Sequence, residues 1–185
     1  EAPVAPEIRP VRVITVEERA AGDTVALTGT VQAQTEVNFA FRIDGRMIER
    51  NTEVGDTVTP GQLLARLNPD NEQTSLQSAR AQLAAARGQL VEVRNNFERQ
   101  RTLVERQLTA RATFDQAVAS LRTAESNVES AQASVNLAEN RLSYTRLVAD
   151  AGGVVTAVGA QSGEVVPAGR MIVQIAREQG RDAVF

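Results

Sequence analysis

Large apolar residues in the middle of the chain recur every seven positions. Leu76, Leu83, Leu90, Phe97 and Val104 form one ladder, with Ala79, Ala86, Val93, Gln100 and Gln107 three places after each. A second ladder runs Phe114, Leu121, Val128, Val135 and Leu142, followed at the same spacing by Ala117, Ala124, Ala131, Ala138 and Thr145. Two five-heptad seams predict a coiled coil. From about Asp70 to Tyr144 there is no proline and one glycine, Gly88, among many strong helix formers. Antiparallel pairing sets Leu76 against Thr145, Leu83 against Ala138, Leu90 against Ala131, Phe97 against Ala124 and Val104 against Ala117. The complementary layers are Ala79–Leu142, Ala86–Val135, Val93–Val128, Gln100–Leu121 and Gln107–Phe114. Most layers place a large residue opposite a small one, which lets two helices approach without voids.

The symmetry point of these pairs falls between Ala110 and Arg111, so the chain is expected to turn there. The same register sets Arg80 against Glu139, Arg87 against Gln132 and Arg94 against Glu125, with Arg101 on the same stripe. Two readings of the stripe stay open. These are exposed pairs within the hairpin, worth ~0–1 kcal/mol each, or an arginine surface for a neighbouring protein. At ~1.5 Å per residue, arms of about 35–38 residues make a rod of roughly 50–57 Å. Such a rod contributes little to a compact core, and reach is its expected purpose.

The flanks have a different texture. VRVITV (11–16), TVALTGTVQAQ (24–34) and VNFAFRI (37–43) are alternating or β-branched runs, punctuated by glycine turns. VGDTVTPGQLLARL (54–67) reappears in degenerate form as SGEVVPAGRMIVQI (162–175). Gly55, Asp56, Val58 and Gly61 correspond to Gly163, Glu164, Val166 and Gly169 at one constant offset. An antiparallel hairpin returns the chain to where it left, so the two motifs meet in space. Neither can bury its apolar face alone. Together they predict a small β-sandwich of quasi-twofold symmetry, with turns at Gly55, Gly61, Gly163 and Gly169.

Composition narrows the chemistry. The chain has 185 residues, 42% hydrophobic but 3% aromatic, so its core is aliphatic. All 20 basic residues are arginine, and there is no histidine or cysteine. Thiol nucleophiles, histidine-based triads, Cys/His zinc sites and Schiff-base lysines are thereby excluded. Asp56, Asp150 and Glu164 sit in turns, where carboxylates commonly satisfy backbone donors; they make no convincing catalytic pair. A net charge of −3 gives no electrostatic case for nucleic acid. The absence of cysteine suits an oxidising compartment. No apolar run approaches the ~20 residues needed to span a bilayer. The Pro-rich opening EAPVAPEIRP reads as a mature N-terminus or linker, and the chain as a fragment at both ends.

That sandwich arrangement resembles the biotinyl/lipoyl carrier fold, in which two similar half-motifs interlock. Carriers present a modified lysine on the turn between the halves. Here the hairpin takes that position and no lysine exists, so carrier activity is excluded on covalent grounds. A lipoyl-like module split by a coiled-coil hairpin resembles the periplasmic adaptor proteins, the HlyD-like membrane fusion proteins of tripartite efflux pumps. The stretches that carry the likeness are residues 28–71, the heptad hairpin, LSYTRLVADAGGVV (142–155) and SGEVVPAGRMIVQIA (162–176). FRIDGRM and the short hairpin fit best the members paired with resistance-nodulation-division (RND) transporters.

The resemblance implies an α+β fold in which the hairpin (70–146, tip near 108–113) is inserted into a split lipoyl-like β-sandwich (37–69 and 147–177). Partial β-barrel strands (23–36 and 178–185) and an extended or membrane-proximal piece (1–22) complete the expected domains. It also implies a non-enzymatic adaptor without cofactor or metal, held in the periplasm at the inner membrane of a Gram-negative bacterium by a missing N-terminal anchor. Its implied partners are an inner-membrane RND transporter, a TolC-like outer-membrane channel, and further copies of itself in a ring, usually of six. The alternative is an adaptor of an ABC-type exporter or type I secretion system. A metal-efflux adaptor would need Met, His or Cys ligands, and Met47 and Met171 read as core fillers.

Family members share an Arg, Leu and Ser at the hairpin tip that contact the channel. Arg99 and Leu103 match that spacing, while Ala110 stands at the serine position with Thr109 beside it. Leu108 and Arg111 complete the implied contact set. The plain alternative for Arg99 is a solvated helix face, and for Leu103 a residue closing the seam. LVADAGG also departs from the family turn, with Asp150 for proline and Gly152 for aspartate; a strand is still expected to start at Val154.

Overall fold

The computed structural model describes residues 12–15, 30–177 and 180–184. Strands β1 (Thr30–Ala33), β2 (Glu36–Ala40), β3 (Gly45–Arg50), β4 (Thr57–Val58) and β5 (Leu63–Leu67) come first. Helices α1 (Asp70–Glu105) and α2 (Arg111–Ser143) follow, then β6 (Arg146–Val148), β7 (Gly153–Val158), β8 (Val165–Val166), β9 (Met171–Arg177) and β10 (Arg181–Val184). Two four-stranded antiparallel sheets, ordered β2-β9-β7-β4 and β6-β5-β3-β8, form the sandwich, and β1 pairs with β10 as a separate ribbon. The fold is α+β, a helical hairpin set into a β-sandwich. The expected strand over 24–34 lies outside the described residues before Thr30. VRVITV was expected to form a strand, but Arg12–Thr15 form none. Alternation becomes a strand only against a partner edge, and no described strand pairs with this segment.

The two halves interlock rather than abut. β8 of the second half pairs with β3 of the first, and β4 of the first with β7 of the second. The backbone hydrogen bonds repeat at the offset seen in the sequence. Met47 N–H donates to Glu164 O (2.8 Å) and Val155 N–H to Asp56 O (2.9 Å). Gly163 N–H donates to Met47 O (2.7 Å) and Gly55 N–H to Val155 O (2.9 Å). Gly61 N–H reaches Ala149 O (2.8 Å) as Gly169 N–H reaches Phe41 O (3.0 Å). Buried side chains obey the same correspondence: Met47 with Val155, Val58 with Val166, Leu64 with Ile172, Leu67 with Ile175. Both inward faces fill one core, aliphatic apart from the buried Phe41 and Phe39 packed against it, which is how a sandwich excludes water.

The motif glycines have φ of +96° (Gly55), +82° (Gly61), +94° (Gly163) and +81° (Gly169). An added Cβ would meet nothing within 4 Å at any of them. Conformation, not space, therefore selects glycine. The carboxylates beside them act as turn acceptors: Asp56 Oδ2 takes Glu53 N–H (2.7 Å) and Glu164 Oε2 takes Gln161 N–H (3.2 Å). The Arg170 guanidinium, bonded to Glu164, helps hold that carboxyl below its usual range, with the Gln161 amide adding to the effect.

The hairpin leaves from β5 and returns into β6, which are neighbours in one sheet. Leu67 N–H donates to Thr145 O (2.8 Å), and Arg42 lies 5.2 Å from the centroid of the Tyr144 ring. Asn68 Oδ1 accepts Asp70 N–H (3.0 Å), and Asp70 and Glu72 occupy the first turn of α1, where negative charge suits the helix end. At the base, Leu76, Ala79, Leu83, Val135 and Ala138 form a buried cluster. Arg80 Nη2 lies 2.8 Å from Glu139 Oε1, Arg87 Nη2 3.1 Å from Gln132 Oε1 and Arg94 Nη2 3.7 Å from Glu125 Oε1. These are the partners the heptad register assigns.

The tip departs from that register. Phe97 and Phe114 were placed in separate layers, opposite Ala124 and Gln107. Their ring centroids are 5.6 Å apart. The helices end at Glu105 and begin at Arg111, so the turn occupies residues 106–110, ahead of the symmetry point. Two aromatic rings gain more from each other than from a small residue and a glutamine.

The base register has a direct test in a chain free of cysteine. The double substitution Leu83→Cys with Ala138→Cys should close a disulfide on mild oxidation, read by a mobility shift on non-reducing gels. Closure between 83 and 134, or 83 and 141, in preference to 83 and 138 would contradict it.

Candidate functional site

The free end of the hairpin is built by helix-termination chemistry. Gln107 has φ +58°, the one non-glycine residue with positive φ among those described. Its N–H donates to Val104 O (3.0 Å), and Leu108 N–H donates to Leu103 O (2.8 Å). This is the Schellman arrangement, normally made with glycine at the left-handed position. A glutamine there costs an L-residue about 1–2 kcal/mol. The hook holds the turn in one shape and presents Leu108, 69% exposed, at its outer edge.

Helix α2 starts without a side-chain cap. Ala110 is its N-cap, at φ −72° and ψ 143°, and no acidic residue occupies the first turn. Ala110 O accepts Thr113 N–H (3.0 Å) and Phe114 N–H (3.4 Å). Thr109 is half-buried, with its hydroxyl directed to Gln100 Oε1 at 3.5 Å rather than to the helix end. The threonine hydroxyl therefore leaves the start of α2 without a side-chain cap.

Of the residues singled out from sequence, Arg99 is exposed on the last turns of α1, and Leu103 is half-buried beneath the hook. Leu108, Thr109 and Ala110 lie in the turn, and Arg111 is the first, exposed residue of α2. The structure gathers all six around one end. Gly55, Gly61, Gly163 and Gly169 lie in the sandwich at the other end of the rod. Gln107 and Arg106 were not singled out; with no glycine in the turn, no signal marked where α1 stops. No group of three or more Asp or Glu among the described residues is arranged to hold a metal. No helix there is long and apolar enough to cross a membrane.

Comparison with known proteins gives this geometry a context. The family model described as "RND MFP, alpha-helical hairpin domain" matches residues 75–145. Multidrug resistance protein MdtA of Photorhabdus laumondii is 29% identical over 178 residues, covering 95% of this chain and 44% of that protein. The chain thus spans about half the length of this curated relative. MacA from Actinobacillus actinomycetemcomitans superposes with a TM-score of 0.72 at 22% identity, covering 84% of this chain and 53% of that one. A putative efflux transporter from Bacteroides eggerthii gives a TM-score of 0.58 at 25% identity, covering 82% of this chain and 42% of its own. The hairpin match, the similarity along the chain and the shared fold agree. Residues 75–145 are thus similar to the helical hairpin domain of the RND membrane fusion proteins, and the fold of the chain is similar to that of MacA.

The hook predicts an unusual mutational sign. Gln107→Gly should stabilise the protein by about 1 kcal/mol by removing left-handed strain, measured by urea denaturation followed by circular dichroism. A loss of similar size would show that the glutamine side chain, not the backbone, holds the turn.

Proposed function

We propose that this protein is the periplasmic adaptor of an efflux assembly, linking an RND-type inner-membrane transporter to a TolC-like outer-membrane channel. The observation that carries the reading is a single one: a coiled-coil hairpin rising from a split lipoyl-like clamp, matched over 75–145 by a hairpin model described for RND adaptors. The multidrug name of the MdtA relative supports small toxic molecules as the exported class.

In this reading several copies, six in the expected ring, pack side by side through the sandwiches. The hairpins stand parallel to the pump axis, and their tips meet the channel. β1 and β10, adjacent here as a ribbon, are the first strands of a β-barrel domain, and an N-terminal segment anchors the protein to the inner membrane. The sandwich (37–69 and 147–177) acts as a clamp and the hairpin (70–146) as the conduit wall. Arg99, Leu103 and Thr109 are the principal channel contacts, with Leu108, Ala110 and Arg111 around them; a few residues commonly carry most of such an interface. The transporter supplies the energy from the proton gradient. The adaptor seals the path and transmits movement.

Two measurements test this in a deletion strain complemented with the full-length gene. Arg99→Asp or Leu103→Ser should abolish drug efflux and cross-linking to the channel while leaving protein levels unchanged; retention of both would sink the tip assignment. Efflux should also stop when a protonophore collapses the proton gradient with ATP maintained. Efflux that instead follows ATP alone would assign the adaptor to an ABC-type exporter.

A further inference from the structure

The tip carries a charge imbalance that the hairpin leaves unresolved. Between residues 99 and 111 stand four arginines and one glutamate, in a chain whose net charge is −3. Arg101 takes Glu98 at 3.0 Å and Glu105 at 3.8 Å, and Asp115, one turn beyond Arg111 on α2, is exposed and pairs with none of the tip arginines. Arg99, Arg106 and Arg111 are all exposed and make no ion pair among the described residues. Nearer the base, by contrast, Arg80 and Arg94 are matched across the seam to Glu139 and Glu125. Arg111 also stands on the first turn of α2, the positive end of a helix, with no acidic neighbour in that turn. A cation there is placed against the local field. Local rules broken without an internal compensation point to a functional surface.

We propose that the tip docks onto an acidic protein surface, a collar of carboxylates at the channel's periplasmic end that receives Arg99, Arg106 and Arg111 around Leu108. The proposal rests on the reading of the tip as the channel-contacting end and adds the chemistry of the surface it meets. Arginine suits this role because its planar fork can hold a carboxylate with two parallel hydrogen bonds. An anionic lipid surface fits less well. Three arginines at about 1 kcal/mol each and one exposed leucine give only marginal membrane binding, and a five-residue turn offers no amphipathic face to insert. Charges at an interface rim act mainly on the rate of association and its salt dependence. Arg106 and Arg111 are therefore steering residues, distinct in effect from the apolar contact at Leu103.

The test uses the purified full-length protein and the TolC-like channel of the same organism in lipid nanodiscs. Association is followed from about 0.05 to about 0.3 M NaCl, where the screening length falls from roughly 14 to 6 Å. The wild-type association rate should drop about tenfold across that range. Arg106→Gln with Arg111→Gln should lower the low-salt rate about tenfold, flatten the salt dependence and change dissociation little. Arg106→Lys with Arg111→Lys should restore the salt dependence, and Arg122→Gln, on the exposed face of α2, should change nothing. Salt-independent binding unaffected by the glutamine pair, with Leu103→Ser still abolishing it, overturns the electrostatic proposal and leaves the tip contact standing. Binding unaffected by Leu103→Ser and Leu108→Ser as well overturns both. Preferential binding to vesicles containing about one-third phosphatidylglycerol replaces the acidic protein with a lipid surface.

Discussion

The exchange of short strands between the two glycine motifs is the interaction on which everything else depends. Met47 bonds through its amide and its carbonyl to the second motif, at Glu164 and Gly163, and Val155 bonds in the same way to the first, at Asp56 and Gly55. Each half therefore supplies the edge that the other half lacks. An unpaired backbone group in a buried edge is costly, so neither half has a stable fold to adopt by itself. The paired burial of Leu64 with Ile172 and of Leu67 with Ile175 adds the hydrophobic part of the same argument. The left-handed glycines are the local condition: they turn the chain so that the short strands reach across.

This exchange dictates the shape of whatever is inserted. Because β5 and β6 are adjacent in one sheet, a chain leaving Leu67 must come back to Arg146 beside it. An antiparallel helical pair satisfies that constraint at any length, and the alternation of large and small seam residues lets the two arms lie close. Charged partners from Arg80 to Glu139 and from Arg94 to Glu125 contribute little energy each in solvent; their effect is to disfavour slipped registers. Reach follows from arm length, and stiffness from the clamp, which grips both arms at the base through Leu67, Thr145 and Tyr144.

Much of this was legible in the residue pattern because it rests on periodicity. Heptads report helices, an offset repeat reports two like halves, and the constant pairing of Arg80, Arg87 and Arg94 with residues of α2 reports the base register. Other features lack a periodic signature. The repeat says that the halves are alike but not that they swap strands, since Thr57–Val58 and Val165–Val166 are too short to announce their partners. The turn was displaced because seam symmetry treats all layers alike, whereas Phe97 and Phe114 seek each other and Gln107 takes a conformation usually signalled by glycine. Of the site, spacing and family resemblance singled out Arg99 and Leu103. That Arg106 and Arg111 make no ion pair among the described residues emerges only once Arg101 is seen to take both Glu98 and Glu105.

The chain has no histidine, cysteine or lysine, and its described residues join a strand-exchanged sandwich at one end to an arginine-bearing turn at the other. The most direct test of the clamp is native-state amide hydrogen exchange, resolved by residue, on this chain. Gly55, Met47, Val155 and Gly163 should be among the slowest amides and share one opening free energy, because their bonds break only when both halves come apart together. Slow exchange at Met47 and Val155 with fast exchange at Gly55 and Gly163, or separate opening energies for the β3–β5 and β7–β9 halves, would contradict the account.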